Sequence, residues 1–167
     1  MKSVDVTIEV ATVDDLEQVV TCWMDLVSSQ QEYGAHIDAA TNEAPARDVL
    51  ARYISQDDLL VARPERALRG GVEPILGFVM FHLEHGLFEQ EEKRGIIENL
   101  YVVPGYRGQG IGSTLMNHAE AALERQGADV LAVSALEAND NARRLYERRG
   151  YSPHRLTYER DVTDSPE

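Results

Sequence analysis

A glycine-rich stretch at residues 103–115, VPGYRGQGIGSTL, most constrains the fold of this chain. Four of its thirteen residues are glycine. It follows the apolar run GIIENLYVV at 95–103 and leads into a run whose apolar residues recur at helical spacing, namely Ile111, Leu115, Ala119, Ala122 and Leu123. The stretch therefore predicts a strand that gives way to a helix, with a bare backbone at the junction.

This junction has the features of an anion site. The first turn of a helix leaves backbone N–H groups without intrahelical partners, and these groups and the helix dipole attract negative charge. Gly108, Gly110 and Gly112 carry no side chains that would keep a phosphate away, and Arg107 adds a positive charge. The alternative is a flexible connector in which glycine only satisfies turn geometry. Because the glycines open a well-formed amphipathic helix, we favour phosphate binding.

Two common nucleotide motifs do not fit the stretch. A P-loop requires Gly-x-x-x-x-Gly-Lys-Ser/Thr, and these thirteen residues contain no lysine. A dinucleotide fingerprint, Gly-x-Gly-x-x-Gly, lies near the first strand of its fold. Here GQGIGS has Ser113 in place of the third glycine and lies in the second half of the chain. The phosphate ligand is therefore of another kind.

The rest of the chain predicts strands and helices with short connections. A first helix follows the N-cap residue Thr12 and runs to about Tyr33, and further helices are predicted at 44–55, 111–126 and within 137–149. Predicted strands cover 6–12, 58–63, 74–85, 95–103, 129–136 and 154–162, with a turn at 69–71 and with 129–136 buried on both faces. Hairpins precede residue 95 and strand–helix alternation follows it, which favours an α/β fold on a mixed sheet.

Composition sets the broad class. At 167 residues the chain fits one domain, 1–167, and its net charge of −13 argues against nucleic acid as a partner. No apolar run approaches the ~20 residues that span a bilayer, and the N-terminus lacks a signal-peptide core, so we expect a cytoplasmic protein without membrane contact. The lone Cys22 is expected to be a small buried apolar residue.

The acidic charge itself has two explanations. It could attract cationic substrates such as amines, or it could be a surface adaptation to a high-salt host. The acids are scattered along the chain, and Lys2 and Lys93 are its only lysines. This even distribution favours the second explanation, so the charge says little about the substrate.

Two motifs together resemble a known family. The first is Arg107-Gly108-Gln109-Gly110-Ile111-Gly112, and the second is Asn139-x-x-Ala142-x-x-Leu145-Tyr146-x-x-x-Gly150-Tyr151. They are similar to the pyrophosphate loop and the second cofactor motif of the GNAT superfamily of N-acetyltransferases, over about residues 95–152. The resemblance implies an α/β fold of the α+β type, with a mixed, mostly antiparallel central sheet of six to seven strands, about four flanking helices and splayed central strands.

The resemblance also implies a co-substrate and its contacts. Acetyl-CoA would bind to the backbone of one strand, to the glycine loop and to a side chain before the last helix. The residues concerned are Leu100, Tyr101, Val102, Arg107, Gly108, Gln109, Gly110, Ile111, Gly112 and Asn139. From the residues alone, Asn139 could equally be a helix N-cap and no more.

Glu98 is the candidate general base. It is the one charged residue in GIIENLYVV, and regular alternation would place it on the strand face of Ile96 and Leu100. Alkyl amines are mostly protonated at neutral pH, so a base must take a proton before the amine attacks. Some amine-acetylating family members carry a catalytic glutamate at this distance before Arg107. The alternatives are a glutamate paired with an arginine such as Arg94, or one that faces solvent at a strand edge.

Tyr146 is the candidate general acid. It lies seven residues after Asn139, where the family has a tyrosine that protonates the departing thiolate of coenzyme A. The alternative is a tyrosine that packs its helix against the sheet with its hydroxyl at the rim.

The acceptor side is less defined. The resemblance places it near Tyr33, His36, the 34–43 segment, the acidic loop at 89–92 and Tyr158. None of the five histidines, at 36, 82, 85, 118 and 154, has convincing metal-ligand spacing, and a strand would turn His82 and His85 to opposite sides, so no metal is expected.

The sequence thus predicts an acetyl-CoA-dependent N-acetyltransferase that acts by direct attack, with a small-molecule amine as acceptor. The alternatives are a protein N-terminal or lysine acetyltransferase and, in another class, a non-catalytic acetyl-CoA-binding regulatory module. Binding alone requires neither Glu98 nor Tyr146, which argues against the module. A homodimer is left open.

Overall fold

The structure is a computed structural model that describes residues 4–66 and 73–163. Five strands and four helices follow one another along the chain, and the predicted turn at 69–71 lies outside the described residues. In chain order the elements are β1 (Val6–Val10), α1 (Leu16–Gln30), α2 (Glu43–Ser55), β2 (Leu59–Pro64), β3 (Gly77–Leu83), β4 (Arg94–Val102), α3 (Ile111–Arg125), β5 (Val130–Val133) and α4 (Asp140–Arg148).

The strands form one mixed sheet in the order β1-β2-β3-β4-β5. β1, β2, β3 and β4 pair antiparallel in succession, and β5 pairs parallel to β4. The mixed, mostly antiparallel sheet and the four helices are as predicted. The predicted strand number is wrong, because the sheet of the described residues has five strands instead of six to seven.

The missing strand is the predicted one at 154–162. These residues form no strand, and every residue of 152–163 is exposed, including Leu156 and Tyr158 at 68% and 88%. The alternation in this segment resembles that of a strand, but alternation predicts a strand only where a sheet face receives the apolar side chains. β5 offers little such surface. Its four residues are each only half-buried, so the prediction that this strand is buried on both faces is also wrong.

Helices cover both faces of the sheet. On one face, called here the α1/α2 face, Phe78 and Met80 of β3 pack with residues such as Val19 and Leu50 of the two helices. On the other, the α3 face, Val79 and Phe81 pack with a helix side that is fully buried, formed by Leu115, Met116, Ala119 and Leu123. The period-two alternation of β3 thus divides the core into two layers.

The start of α1 is fixed by the carboxylate of Asp15. It accepts the Thr12 N–H at 2.8 Å and pairs with Arg63 of β2, and Asp15 is only 4% exposed. After α1 a short 3₁₀ turn ends at Gly34, whose φ of 92° suits glycine. Cys22 is buried as predicted, and burial, reinforced by Asp25, raises the pKa of its thiol to about 11. No helix within the described ranges is long and apolar enough to cross a bilayer.

Candidate active site

Glu98 lies at a bulge in β4. Met80 of β3 is opposite Asn99, while the next residue, Phe81, is opposite Ile97. One residue of β4 is therefore extra and has no cross-strand partner on β3, and that residue is Glu98. A bulge of this kind bends the strand and redirects a side chain, and bulges occur often beside active sites.

The bulge changes which residues share a face with Glu98. Ile96 is opposite His82, on the α1/α2 face, whereas Leu100 packs in the core of the α3 face. The regular alternation that would put Ile96, Glu98 and Leu100 on one face is therefore wrong, because the extra residue shifts the pleat by one position.

Glu98 faces solvent at the edge of β4, as one alternative has it, but is not paired with Arg94 as the other has it. Its Oε1 lies 3.6 Å from Nδ1 of His82, and that nitrogen is 2.9 Å from the hydroxyl of Tyr53. The Glu98 side chain is 43% exposed. Arg94 pairs with Glu84 at 2.8 Å and is not the partner of Glu98. The carboxylate thus has a titratable neighbour and access to solvent.

The pairing of β4 with β5 ends next to the bulge. The parallel register runs from Arg94 opposite Val130 to Ile97 opposite Val133, and β5 stops there. β4 continues to Val102, so on this side residues 98–102 have no strand partner within the described ranges. An extended ligand could add here as a further strand, because the backbone groups of an unpaired strand edge are available to pair with it.

The glycine loop follows β4 and is bare. Gly108 and Gly110 have φ values of 73° and 87°, which L side chains rarely adopt, and no atom lies within 4 Å of the position of a Cβ on either. Gly110 is the N-cap of α3 and no side chain caps this helix start. The first-turn N–H groups of α3, from Ile111 onward, can therefore receive an anion such as the pyrophosphate of acetyl-CoA.

The start of α3 lies close to the end of β4. A Cβ on Gly112 would be 3.7 Å from Val102 and 4.0 Å from Leu100, which are ordinary contacts. Val102, Leu100 and Ile111 also share the core of the α3 face. The structure thus brings the predicted cofactor residues of the strand next to those of the helix start.

Two loop side chains have partners within the protein. The Arg107 Nε donates to the carbonyl of Val102 at 2.7 Å, and its guanidinium lies 5.5 Å from the centre of the Tyr101 ring. Gln109 accepts the N–H of Val4 at 3.2 Å. Arg107 is therefore held beside the end of β4. Because the Gln109 side chain contacts Val4, Gln109 would contribute to an anion site through its backbone.

Asn139 caps the start of the last helix, and Tyr146 lies within this helix. The Asn139 side chain accepts the N–H of Ala142 at 3.1 Å, so it is a helix N-cap, while its amide N–H₂ group is left for another partner. Tyr146 packs in the core of the α3 face together with Val133 and Leu100. Burial raises the pKa of its phenol above the ordinary value, so at neutral pH the hydroxyl keeps its proton.

An ion pair fixes α4 against α3. Arg149 contacts Glu120 at 2.6 Å and Asn117 at 2.6 Å, and the Tyr151 hydroxyl donates to Glu120 at 2.9 Å. The rings of Tyr151 and Tyr146 meet edge to face with their centroids 6.1 Å apart. These contacts determine where Tyr146 lies relative to the start of α3.

The residues expected on the acceptor side are only partly brought together. Nε2 of His36 lies 2.9 Å from the Glu159 carboxylate, which ties the C-terminal segment to the loop after α1. Tyr33 is half-buried in the 3₁₀ turn after α1, whereas Tyr158 and the acidic loop at 89–92 are exposed. Within the described residues, His36 is the member of this set that a side-chain contact joins to the C-terminal segment.

Sequence reasoning did not identify His82 and Tyr53 as parts of the site. A signal for His82 was available, since it continues the face of Phe78 and Met80 on β3, and His85 lies beyond the end of that strand. Its approach to Glu98 could not be predicted, because this depends on the bulge. No cluster of metal-ligating side chains occurs in the part of the chain that the structure describes.

Comparison with known proteins agrees with this arrangement. A family model described as the Acetyltransferase (GNAT) family matches residues 23–151. The aminoalkylphosphonate N-acetyltransferase of Salmonella typhimurium is 28% identical over 141 residues, 84% of this chain and 81% of that protein. The thialysine N-epsilon-acetyltransferase of Bos taurus is 32% identical over 77 residues, 46% of this chain and 44% of that protein.

Solved structures share the fold. A GCN5-related N-acetyltransferase from Ralstonia eutropha JMP134 superposes with a TM-score of 0.69 at 28% identity, covering 95% of this chain and 99% of that one. The PaiA N-acetyltransferase from Thermoplasma acidophilum, solved in complex with coenzyme A, has a TM-score of 0.71 at 16% identity, covering 92% of this chain and 93% of that one.

Proposed function

This chain belongs to the GNAT acetyltransferase family, and from that premise we propose that it is an acetyl-CoA-dependent N-acetyltransferase in which an amine attacks the thioester directly. Glu98 is the general base and Tyr146 the general acid. The acceptor is a small-molecule amine.

One observation carries the proposal. The bulged Glu98, the unpaired edge of β4 and the glycine loop follow one another along a single stretch of chain, 98–112. Glu98 faces the α1/α2 face, and Tyr146 packs on the α3 face. The gap beyond Ile97 and Val133 opens between these faces, so a thioester held in it would be within reach of an acid from one side and a base from the other.

Binding of acetyl-CoA is assigned to three groups of the chain. The first-turn N–H groups of α3 and the loop at Gly108 and Gly110 receive the pyrophosphate. The unpaired backbone of residues 100–102 receives the pantetheine as an extra strand, although the Val102 carbonyl is already accepting from Arg107. The free amide N–H₂ group of Asn139 provides a further donor.

Two proton transfers accompany acyl transfer. The Glu98 carboxylate takes a proton from the ammonium group, directly or through a water, and the neutral amine then bonds to the acetyl carbonyl carbon. A backbone N–H of β4 stabilises the negative oxygen that forms. As the carbon–sulfur bond breaks, the Tyr146 hydroxyl gives its proton to the sulfur.

The choice of a small amine is supported by the relatives. Those named for aminoalkylphosphonate and thialysine acetylation take their names from small amines. The exposed position of Glu98 is also compatible with a peptide N-terminus or a lysine side chain, and the first experiment separates these acceptors.

That experiment measures release of free thiol from acetyl-CoA with a panel of aminoalkylphosphonates, thialysine, polyamines, aminoglycosides, amino acids and short peptides. Saturable release with one class of small amine is the expected result. A preference for peptides would show that the acceptor is a peptide and not a small amine. If acetyl-CoA binds but no acceptor gives thiol release above background, the protein is a regulatory module and not an enzyme.

The base is tested by Glu98→Gln, with Glu124→Gln at an exposed position near the end of α3 as the matched control. We expect kcat to fall by about 100-fold or more, as is typical on losing a general acid–base group, while the KM for acetyl-CoA stays near wild type. The control should keep the wild-type rate. Equal rates and pH profiles for both variants would contradict the assignment of Glu98.

A further inference from the structure

A row of polar side chains leads away from Glu98 on the α1/α2 face. It begins at the Glu98 carboxylate on β4, passes Nδ1 of His82 on β3 at 3.6 Å and ends at the Tyr53 hydroxyl on α2, 2.9 Å from the same nitrogen. The side chain of His82 is 30% exposed. The row therefore joins the proposed base to an imidazole that has its own access to solvent.

The buried tyrosine is the hydrogen-bond partner of the imidazole. Burial and the nearby charge of Glu98 raise the pKa of Tyr53, so this phenol keeps its proton. Its hydroxyl can donate to an unprotonated Nδ1 or accept from a protonated one, so the contact serves both tautomers of the imidazole. The rings of Tyr53 and His82 also meet edge to face, with centroids 5.9 Å apart, which holds the imidazole in place.

The groups that act on Tyr53 and His82 come from α2, from the turn before β2 and from β4. Tyr53 and Arg52 come from α2, Asp58 from the turn before β2, and Glu98 from β4, where Ile96 is the cross-strand neighbour. Arg52 and Asp58 act on the Tyr53 phenol in opposite directions, the first lowering its pKa and the second raising it. Glu98 is the charged group in direct reach of the imidazole.

We propose that His82 returns Glu98 to its ionised form in each turnover, with Tyr53 as the residue that positions the imidazole. This rests on the proposed function, since it takes Glu98 to be the group that receives the amine proton. The Glu98 carboxyl gives that proton to Nδ1, while the Tyr53 hydroxyl rotates from donor to acceptor. The resulting imidazolium releases its Nε2 proton to water, and proton exchange with water then moves the Nδ1 proton back to Nε2, so that one proton enters, one leaves and the starting tautomer is restored.

The test compares His82→Gln with His85→Gln, an exposed histidine beyond the end of β3. Steady-state kcat and the KM for acetyl-CoA are measured from pH 6 to 9 at low and high concentrations of a small buffer such as imidazole. For His82→Gln we expect kcat at low buffer to fall about tenfold, less than on loss of a direct acid–base group, and to recover with added buffer at an unchanged KM. A structural role alone gives no buffer rescue.

Tyr53→Phe provides a second variant that keeps the ring and its packing. Because it removes the hydrogen bond that positions the imidazole, its kcat at low buffer should fall and should recover with added buffer. If either folded variant is active with the pH profile and buffer response of His85→Gln, the relay is wrong. If the wild type itself releases no thiol with any acceptor, the proposed function has failed, which is a different outcome.

Discussion

Tyr146 shows how the environment of one residue can determine its chemistry. The phenol packs in the core of the α3 face beside Tyr151, and burial raises its pKa above the ordinary value of 10.0. A group with a raised pKa stays protonated to higher pH, so the donor form of Tyr146 is present throughout the neutral range and is lost only as pH rises through the raised value.

Replacing this phenol should affect the chemical step. For Tyr146→Phe we expect kcat to fall by about 100-fold, as is typical for loss of a general acid, with little change in the KM for acetyl-CoA. The wild-type kcat should show no fall due to Tyr146 across the neutral range. Thiol-release kinetics from pH 6 to 10.5 measure both, with Glu147→Gln at an exposed position of the same helix as control. Similar kcat values for the two variants would count against the role of Tyr146.

At the scale of elements, the loop between β4 and α3 must turn the chain and also leave the first N–H groups of α3 open to an anion. Gly110 has a φ of 87° and ends the loop as the uncapped N-cap of α3. A side chain here would strain the backbone, at a cost of about 1–2 kcal/mol, and would also stand beside the N–H groups that face the anion.

Gly110→Ala should therefore weaken both acetyl-CoA binding and the fold. The expected result is a several-fold rise in the KM for acetyl-CoA, with a loss of about 1 kcal/mol in the free energy of unfolding. Gly105→Ala is the matched control, because Gly105 has equally open surroundings without a positive φ. KM measurements and urea unfolding of both variants test this. An unchanged KM in Gly110→Ala would contradict the proposal that this loop binds the pyrophosphate.

Which elements could be predicted follows from how local their signals are. The strand–loop–helix of 94–125 was read from apolar spacing and glycine alone, and β4 and α3 lie within two residues of the predicted limits. The bulge at Glu98 was not predictable, because it depends on how β4 pairs with β3. For the same reason, the alternation at 154–162 was mistaken for a strand, since a segment by itself does not show whether a sheet edge will accept it.

On the scale of the whole molecule, charge is used in two ways. The net charge of −13 is spread over the surface, while one carboxylate, Asp15, is buried where β1, α1 and β2 meet. Burial alone would raise the pKa of Asp15, but the Thr12 N–H and the Arg63 guanidinium outweigh it, so the pKa lies below its ordinary value of 3.8. Arg63 also contacts Glu9 of β1 at 2.9 Å, so this cluster joins three elements.

The depressed pKa of Asp15 predicts a specific acid sensitivity. The stability it provides is fully present above the unfolded value, near 4, and is lost as pH falls through the lower folded value. At pH 7, Asp15→Asn should lower the free energy of unfolding by about 2–3 kcal/mol, because Arg63 loses a buried partner. This difference from wild type should shrink as pH falls below about 4, because Asp15 of the unfolded wild type is then protonated and that of the folded protein follows at lower pH. Urea unfolding between pH 3 and 7 measures it, with the exposed neighbour Asp14→Asn as control. A difference that is independent of pH would show that the carboxylate acts by packing and not through its charge.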